Sequence, residues 1–318
     1  MTFQFRFQRM LLALLLATCC LYTLAAEPWP RSIGVSISSL ENPYFVALAQ
    51  GVRQKAKQLN PKTKFIITSA GYSAEMQIEQ ISTMIKQKVD LILVSASDEN
   101  ALADILLAAR KQGIIVIGVD VRAQGAMQTV LTHNVLAGQL VCEYLANSLS
   151  GKGRVAIQTG PQVSSVIDRV NGCKQAWSKY PNLQLVSQTE DGEGSIWGGY
   201  TAMQQLIKQH GHVDAIFTIN DRQALGTLQA LQKAKQTQTK IGSVDGSQAV
   251  VNAITQGSAI IATASQSPGT MGQRAIEMAV ALHQGGKATP ELELMQPTLV
   301  TPNNSAQFKA WDANNPRQ

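Results

Sequence analysis

The sequence predicts an α/β protein made of two similar doubly wound lobes with parallel sheets, joined by hinge crossings, with a ligand cleft between them. Three observations carry that expectation. Short apolar runs at 114–119, 155–158, 215–219 and 240–244 alternate with helical stretches, the pattern of a parallel sheet covered by helices on both faces. The alternation runs through the chain twice. Polar residues then stand where strands end: Asp120 after the first of these runs, Asn220 after the third, Asp245 after the fourth. In open α/β sheets ligands bind outside the carboxyl ends of the strands. These three side chains should therefore line a cleft for a polar small molecule.

The elements follow in order. Residues 31–38 read as a strand. Asn42 and Pro43 then open a helix that runs through Leu59; Asn at the cap and Pro at the first helical position are strong start signals. A strand at 64–68 and a helix at 74–88 come next. Residues 90–95 are nearly all apolar, as a strand buried on both faces should be. A helix at 98–111 ends at Gly113, and a strand at 114–120 completes the first run. The second run places helices at 135–149, 165–179, 197–210 and 221–234, and strands at 154–159, 183–189, 213–219 and 240–244. A short strand at 259–265, a helix at 267–283 and an extended segment at 291–300 remain, and can cross back to the first lobe. The lobe boundary is expected near Thr132–Asn134. The expected domains are residues 27–132 plus 267–295 for the first lobe, and 133–266 plus 296–318 for the second lobe and tail.

The first residues set the expected compartment. Arg6 and Arg9 precede an apolar stretch at 10–18, and Leu24-Ala25-Ala26 ends in small residues before Glu27-Pro28. This is the pattern of a secretory signal peptide cleaved after Ala26, giving a periplasmic protein. The apolar run at 10–26 is shorter than the ~20 residues of a spanning helix. The alternatives are a retained membrane anchor and a lipoprotein at Cys19 or Cys20, where Thr18 fits the usual pattern poorly. The 318-residue chain without this leader has the length of two domains. The leader takes two of the 27 basic residues and none of the 21 acidic ones. The remaining positive excess is mild and scattered, whereas a nucleic-acid footprint needs a clustered basic face. After the leader, two cysteines remain, Cys142 and Cys173. An oxidising compartment allows a disulfide; the other reading is two small buried apolar side chains.

Catalytic and metal signals are thin. Gly286-Lys287-Ala288 lacks the upstream Gly and the hydroxyl residue of a phosphate loop, and Gly192-Glu193-Gly194 lacks a third Gly at Trp197. His210-Gly211-His212 has no cysteine nearby and reads as a helix end in solvent, broken by Gly211. No cofactor, no metal and no enzyme activity are expected.

The residues Leu40-Glu41-Asn42-Pro43-Tyr44-Phe45, Val116-Ile117-Gly118-Val119-Asp120, Asn220-Asp221 with Ala224-Leu225-Gly226, Val244-Asp245-Gly246, and Gln266 before Pro268 form a set in order and spacing. On this set the chain resembles periplasmic sugar-binding proteins of the ribose-binding type, the substrate receptors of ABC importers. The resemblance covers almost the whole chain after the leader. It implies a ligand held between two lobes joined by three hinge crossings, touched by Asn42, Tyr44, Phe45, Asp120, Arg169, Asn220, Asp245 and Gln266. The residue types suit a sugar. Aromatic rings cover an apolar C–H face, carboxylates accept from hydroxyls, and Arg, Asn and Gln offer donors in fixed planes.

Two departures add candidates. In the family pattern an Arg directly follows the acid matching Asp120; here Val121 stands there and Arg122 comes one later. Where the family often has an aromatic residue, this chain has Gly194-Ser195-Ile196, with Trp197 close behind. Competing readings exist at several positions. Asn42, Asp120 and Asp245 can serve as caps, Tyr44 and Phe45 as core, and Arg169 can pair with Asp168 at the surface. The expected partners are a monosaccharide and the membrane permease of an ABC importer, with the protein a monomer. The alternative is a sensory receptor presenting its closed form to a membrane kinase or chemoreceptor. A hydrolase stands last, because it needs two acids close together.

Overall fold

The structure, a computed structural model, describes residues 28–313. The signal-peptide expectation, with Arg6, Arg9 and the cleavage point at Ala26, lies outside the described residues. The first half of the chain runs β1 (Ser32–Ile37), α1 (Pro43–Leu59), β2 (Lys64–Ser69), α2 (Ala74–Lys86), β3 (Leu91–Val94), α3 (Ala103–Lys111), β4 (Ile115–Val119) and β5 (Gln128–Thr132). The second half runs α4 (Asn134–Ser148), β6 (Lys152–Thr159), α5 (Ser164–Trp177), β7 (Asn182–Asp191), α6 (Ile196–His210), β8 (Ala215–Thr218), α7 (Asp221–Lys233), β9 (Lys240–Asp245), α8 (Gln248–Thr255) and β10 (Ile260–Ser265). Helix α9 (Pro268–His283), β11 (Leu292–Met295), β12 (Thr298–Val300) and a 3-10 turn at Ser305–Gln307 complete it.

Two six-stranded sheets result, in the orders β11-β5-β4-β3-β1-β2 and β12-β10-β9-β8-β6-β7. Among the described residues every strand pairing is parallel except β10 with β12. The chain passes between the sheets three times: from β5 into α4, from β10 into α9, and from β11 into β12. Strand β3 (Leu91–Val94) is buried at every position, because helices cover both faces of a parallel sheet. Helix α1 starts where the sequence says it should. The Asn42 side chain accepts from the Tyr44 N–H, with Pro43 at the first position.

Helices α4 and α5 pack at backbone distance. A Cβ added to Gly138 would lie 2.0 Å from the Arg169 carbonyl oxygen, and one added to Gly172 would lie 2.0 Å from that of Val135. This approach brings the Cα atoms of Cys142 and Cys173 to 5.0 Å, and the two form a disulfide, inside the range such a bond requires. The Trp177 indole N–H donates to the Cys142 carbonyl at 2.8 Å on the same seam. Helix α5 is thus fixed against its lobe.

Four expectations change. Strand β5 was not expected, because its sequence, Gln-Thr-Val-Leu-Thr, looks polar; all five residues are buried, and Gln128 and Thr132 are satisfied by the Pro290 carbonyl and Gln266. The helix expected from residue 98 begins at Ala103, since the Asp98 carboxylate accepts from the N–H groups of Asn100 and Ala101 and folds a turn instead. The short α8 was not expected. The extended segment at 291–300 divides into β11 and β12, which join different sheets.

Candidate ligand site between the lobes

The carboxyl ends of both sheets face one small cavity between the lobes. The first lobe contributes Asn42, Tyr44, Phe45 and Asp120 to its lining; the second contributes Arg169, Asn220 and Asp245; and Gln266 lies at a crossing. Arg122 and Trp197 are not among the lining residues.

Asp120 directly follows β4 with a left-handed backbone, φ +69°. Its N–H donates to the Val130 carbonyl at 2.9 Å, and its Oδ1 accepts from the Tyr44 hydroxyl at 2.7 Å. Burial raises the Asp120 pKa, and the nearby Arg169 charge opposes that shift. Asp245 ends β9 with φ +143°, a region that non-glycine residues rarely occupy. Strained backbone of this kind concentrates at functional sites. The Asp245 carboxyl accepts from Gln266 Nε2 at 2.7 Å and lies 3.8 Å from the Arg169 guanidinium. Its pKa is pushed up to about 7, first by burial and then by the Asp221 charge, with Arg169 and Gln266 acting in the other direction.

Arg169 is 5 % exposed. Its Nε donates to Asn134 Oδ1 and its Nη1 to the Ile219 carbonyl, both at 2.8 Å. The surface pairing with Asp168 does not form; Asp168 pairs with Arg122 instead. Gln266 joins the parts of the site. Its Oε1 accepts from Thr132 Oγ1 at 2.7 Å and lies 3.3 Å from the Tyr44 hydroxyl, while its amide holds Asp245. Asn220 caps α7 by accepting from the Gln223 N–H at 2.9 Å and donates to the Gly194 carbonyl at 3.0 Å. Asn42 likewise combines its cap role with a place in the lining. Tyr44 and Phe45 are both buried, packed edge to face with ring centres 5.4 Å apart, so both are core and lining at once.

Arg122 and Trp197 require correction. The one-residue displacement turns the Arg122 guanidinium away to Glu99 and Asp168, and Val121 lines the cavity in its place. Trp197 is 70 % exposed and stacks on Tyr200 outside the cavity. The second lobe presents aliphatic groups to the cavity instead, from Val163, Val166 and Ile219.

Besides these aliphatic groups, Tyr72, Asp221 and Trp311 escaped the sequence reading. Tyr72 lines the cavity from the turn after β2, and its phenol is pushed up to about 12 by burial and then by Asp120; its place just beyond a strand end was the available signal. Asp221 is fully enclosed. Ser243, Thr263 and Ser247 all donate to it, and burial raises its pKa. Trp311, in the tail, packs edge-on to Tyr44 and donates to the Asp245 carbonyl at 3.0 Å. Among the described residues no cluster of three or more His, Cys, Asp or Glu is placed to hold a metal ion, and no helix is long and apolar enough to cross a membrane.

Known proteins resemble this chain in sequence and fold. The chain is 29% identical over 289 residues to the ribose import binding protein of Bacillus subtilis, covering 87% of this chain and 92% of that one. It is 26% identical over 284 residues to the D-apiose import binding protein of Actinobacillus succinogenes, covering 88% and 91%. Among solved structures, an ABC transporter periplasmic solute binding protein from Actinobacillus succinogenes with bound D-allose superposes with a TM-score of 0.81 at 26% identity, over 88% of this chain and 100% of that one. The Caulobacter myo-inositol binding protein has the same fold, with a TM-score of 0.81 at 24% identity over 89% and 96%. The periplasmic binding protein domain model matches residues 33–287, most of the chain, and the protein belongs to that family.

Proposed function

We propose that this chain is an exported solute-binding receptor that captures a monosaccharide by hinge closure and delivers it to the permease of an ABC importer. The observation that carries this reading is the single cavity where the strand ends of both lobes meet. Asp120 and Asp245 supply acceptors there, Arg169 supplies a donor, and the aromatic side chains of Tyr44, Phe45 and Tyr72 share the lining with the aliphatic groups of Val163, Val166 and Ile219. A sugar has this character, with a hydroxyl rim and two C–H faces. Its hydroxyls can donate to carboxylates with charge-assisted bonds, and its faces pack on rings and methyl groups. The leader pattern at residues 1–26 supports export, and the relatives named for import support the permease as partner.

The reading is of a binder rather than a catalyst. Asp120 and Asp245 are held by Tyr44 and Gln266, and incubation with the bound sugar should return it unchanged. The test is a thermal-shift screen of the mature protein against pentoses, hexoses and polyols. A specific ligand at 100 times its dissociation constant adds about 2.7 kcal/mol of stability. A panel without effect, beside a nucleoside or amino-acid derivative that stabilises the protein, overturns the sugar assignment.

A further inference from the structure

Arg122 does not line the cavity, yet both its main chain and its side chain are bonded. It follows β4 on the first lobe. Its Nε lies 3.0 and 3.1 Å from the two carboxylate oxygens of Glu99, in the loop before α3 on the same lobe. Its terminal nitrogens reach the other lobe, to Asp168 on α5, at 2.5 and 3.3 Å. Its backbone N–H also crosses, donating to Ser164 Oγ at the start of α5 at 2.8 Å. One residue thus joins the lobes by main chain and side chain together.

The geometry is built for a defined position. Glu99 takes the Nε of the guanidinium from its own side, and the two terminal nitrogens bond Asp168. Both Asp168 oxygens are taken, the two-pronged arrangement that only an arginine can make. Helix α5 is fixed to α4 by the Cys142–Cys173 disulfide and the Gly138 and Gly172 contacts, so Asp168 moves with the second lobe. The next residue on α5, Arg169, enters the cavity. Closing the Arg122–Asp168 pair therefore sets where Arg169 stands against Asp120 of the first lobe.

We propose that Arg122 is an interlobe clasp, a positioning residue whose bonds to Asp168 and Ser164 exist only in the closed form and govern how long a bound sugar stays. The inference rests on the receptor reading, because a clasp matters only where lobes open and close. The side chains of Arg122, Glu99 and Asp168 are 34%, 39% and 17% exposed, so salt reaches the pair and weakens it, unlike the contacts inside the cavity.

The test compares the wild type with Arg122→Ala, Asp168→Asn, the double variant and Arg122→Lys. Stopped-flow dissociation is measured with D-ribose, D-allose and myo-inositol as probes. Each single variant should speed dissociation about fivefold, the scale of one partly exposed two-pronged pair, with association within about twofold. The double variant should add nothing, and Arg122→Lys should recover part of the loss. Raising salt from about 0.05 to 0.5 M should speed wild-type dissociation and leave the variants nearly unchanged. In parallel, spin labels at exposed Lys86 and Gln204 report the interlobe distance without ligand, where the variants should lose short distances present in the wild type. Unchanged dissociation in a probe-binding protein overturns the clasp and leaves the receptor reading standing. If no probe binds the wild type, the sugar assignment fails and the label distances alone decide the clasp: unchanged distances refute it.

Discussion

Replacing Asp245 with Asn changes one charge in the cleft while keeping the shape of the side chain. The magnitude follows from the site. The carboxyl is buried at the end of β9, with the Asp221 charge behind it, and its pKa is pushed up to about 7. An unfolded Asp ionises near 4. About three units separate the two states, on the order of 4 kcal/mol against the ionised form in the ligand-free fold. The sign is fixed by proton counting. Between pH ~4 and ~7 the folded chain holds a proton that the unfolded chain has already lost, so stability falls as pH rises through that window and levels off above it. Asp245→Asn removes that slope. Denaturant unfolding of the mature protein from pH 5 to 8 should show the variant gaining on the wild type by about 3 kcal/mol, the share of the window that lies between pH ~5 and ~7. Binding should move the opposite way. Sugar hydroxyls donate to the ionised carboxylate, so the wild type should release up to one proton on binding near pH 6.5, which titration calorimetry in two buffers of different ionisation heat detects. The variant should bind more weakly by about 1.5–3 kcal/mol for each charged hydrogen bond lost, roughly a tenfold to hundredfold change. A pH–stability curve parallel to the wild type, with wild-type affinity, refutes the placement of Asp245 at the ligand.

Three further perturbations separate the roles of neighbouring residues. Tyr44→Phe removes the hydroxyl that donates to Asp120 at 2.7 Å; it should cost about 1–2 kcal/mol of ligand-free stability and shift the panel toward sugars with an additional hydroxyl, and an unchanged ranking by calorimetry counts against contact at that corner. Cys142→Ala with Cys173→Ala opens a loop with a sequence separation of 31, which should lower stability by about 3–4 kcal/mol; reductant added to the wild type should reproduce the same shift in denaturation. Trp197→Ala should leave affinity within about twofold, since the ring is 70 % exposed and outside the cavity; a loss of binding returns Trp197 to the ligand.

What the sequence disclosed depended on how local the signal was. Asn42 and Pro43 mark the start of α1 because both act within one turn, and the structure shows that cap. The strand-end rule located Asp120, Asn220 and Asp245 at the cavity, since a parallel strand has only one carboxyl end to offer. Strand β5 escaped because Gln128, Thr129 and Thr132 read as surface residues; their burial depends on partners distant in sequence, such as Pro290 and Gln266. Asp98 escaped because an aspartate can bond its own neighbours' N–H groups and delay a helix. Trp311 could not be found at all from its surroundings. It sits in a polar tail, and only the fold brings it against Tyr44.

The displacement of Arg122 by one position shows how spacing becomes charge balance. With Val121 in the lining, Arg169 is the one arginine of the cavity, against Asp120 and Asp245 within it and Asp221 behind it. Arg169 is also partly committed, to Asn134 and the Ile219 carbonyl. A carboxylate or phosphate ligand would therefore bring a further negative charge beside two acids with one shared counter-charge, at a site where burial already raises their pKa values. A neutral ligand rich in hydroxyl donors meets no such opposition. Each hydroxyl it gives to Asp120 or Asp245 stabilises the ionised form that burial disfavours. The two acids whose ionised forms burial disfavours are thus the groups that a polyhydroxyl ligand satisfies, which ties the charge balance of the cleft to the class of ligand it takes.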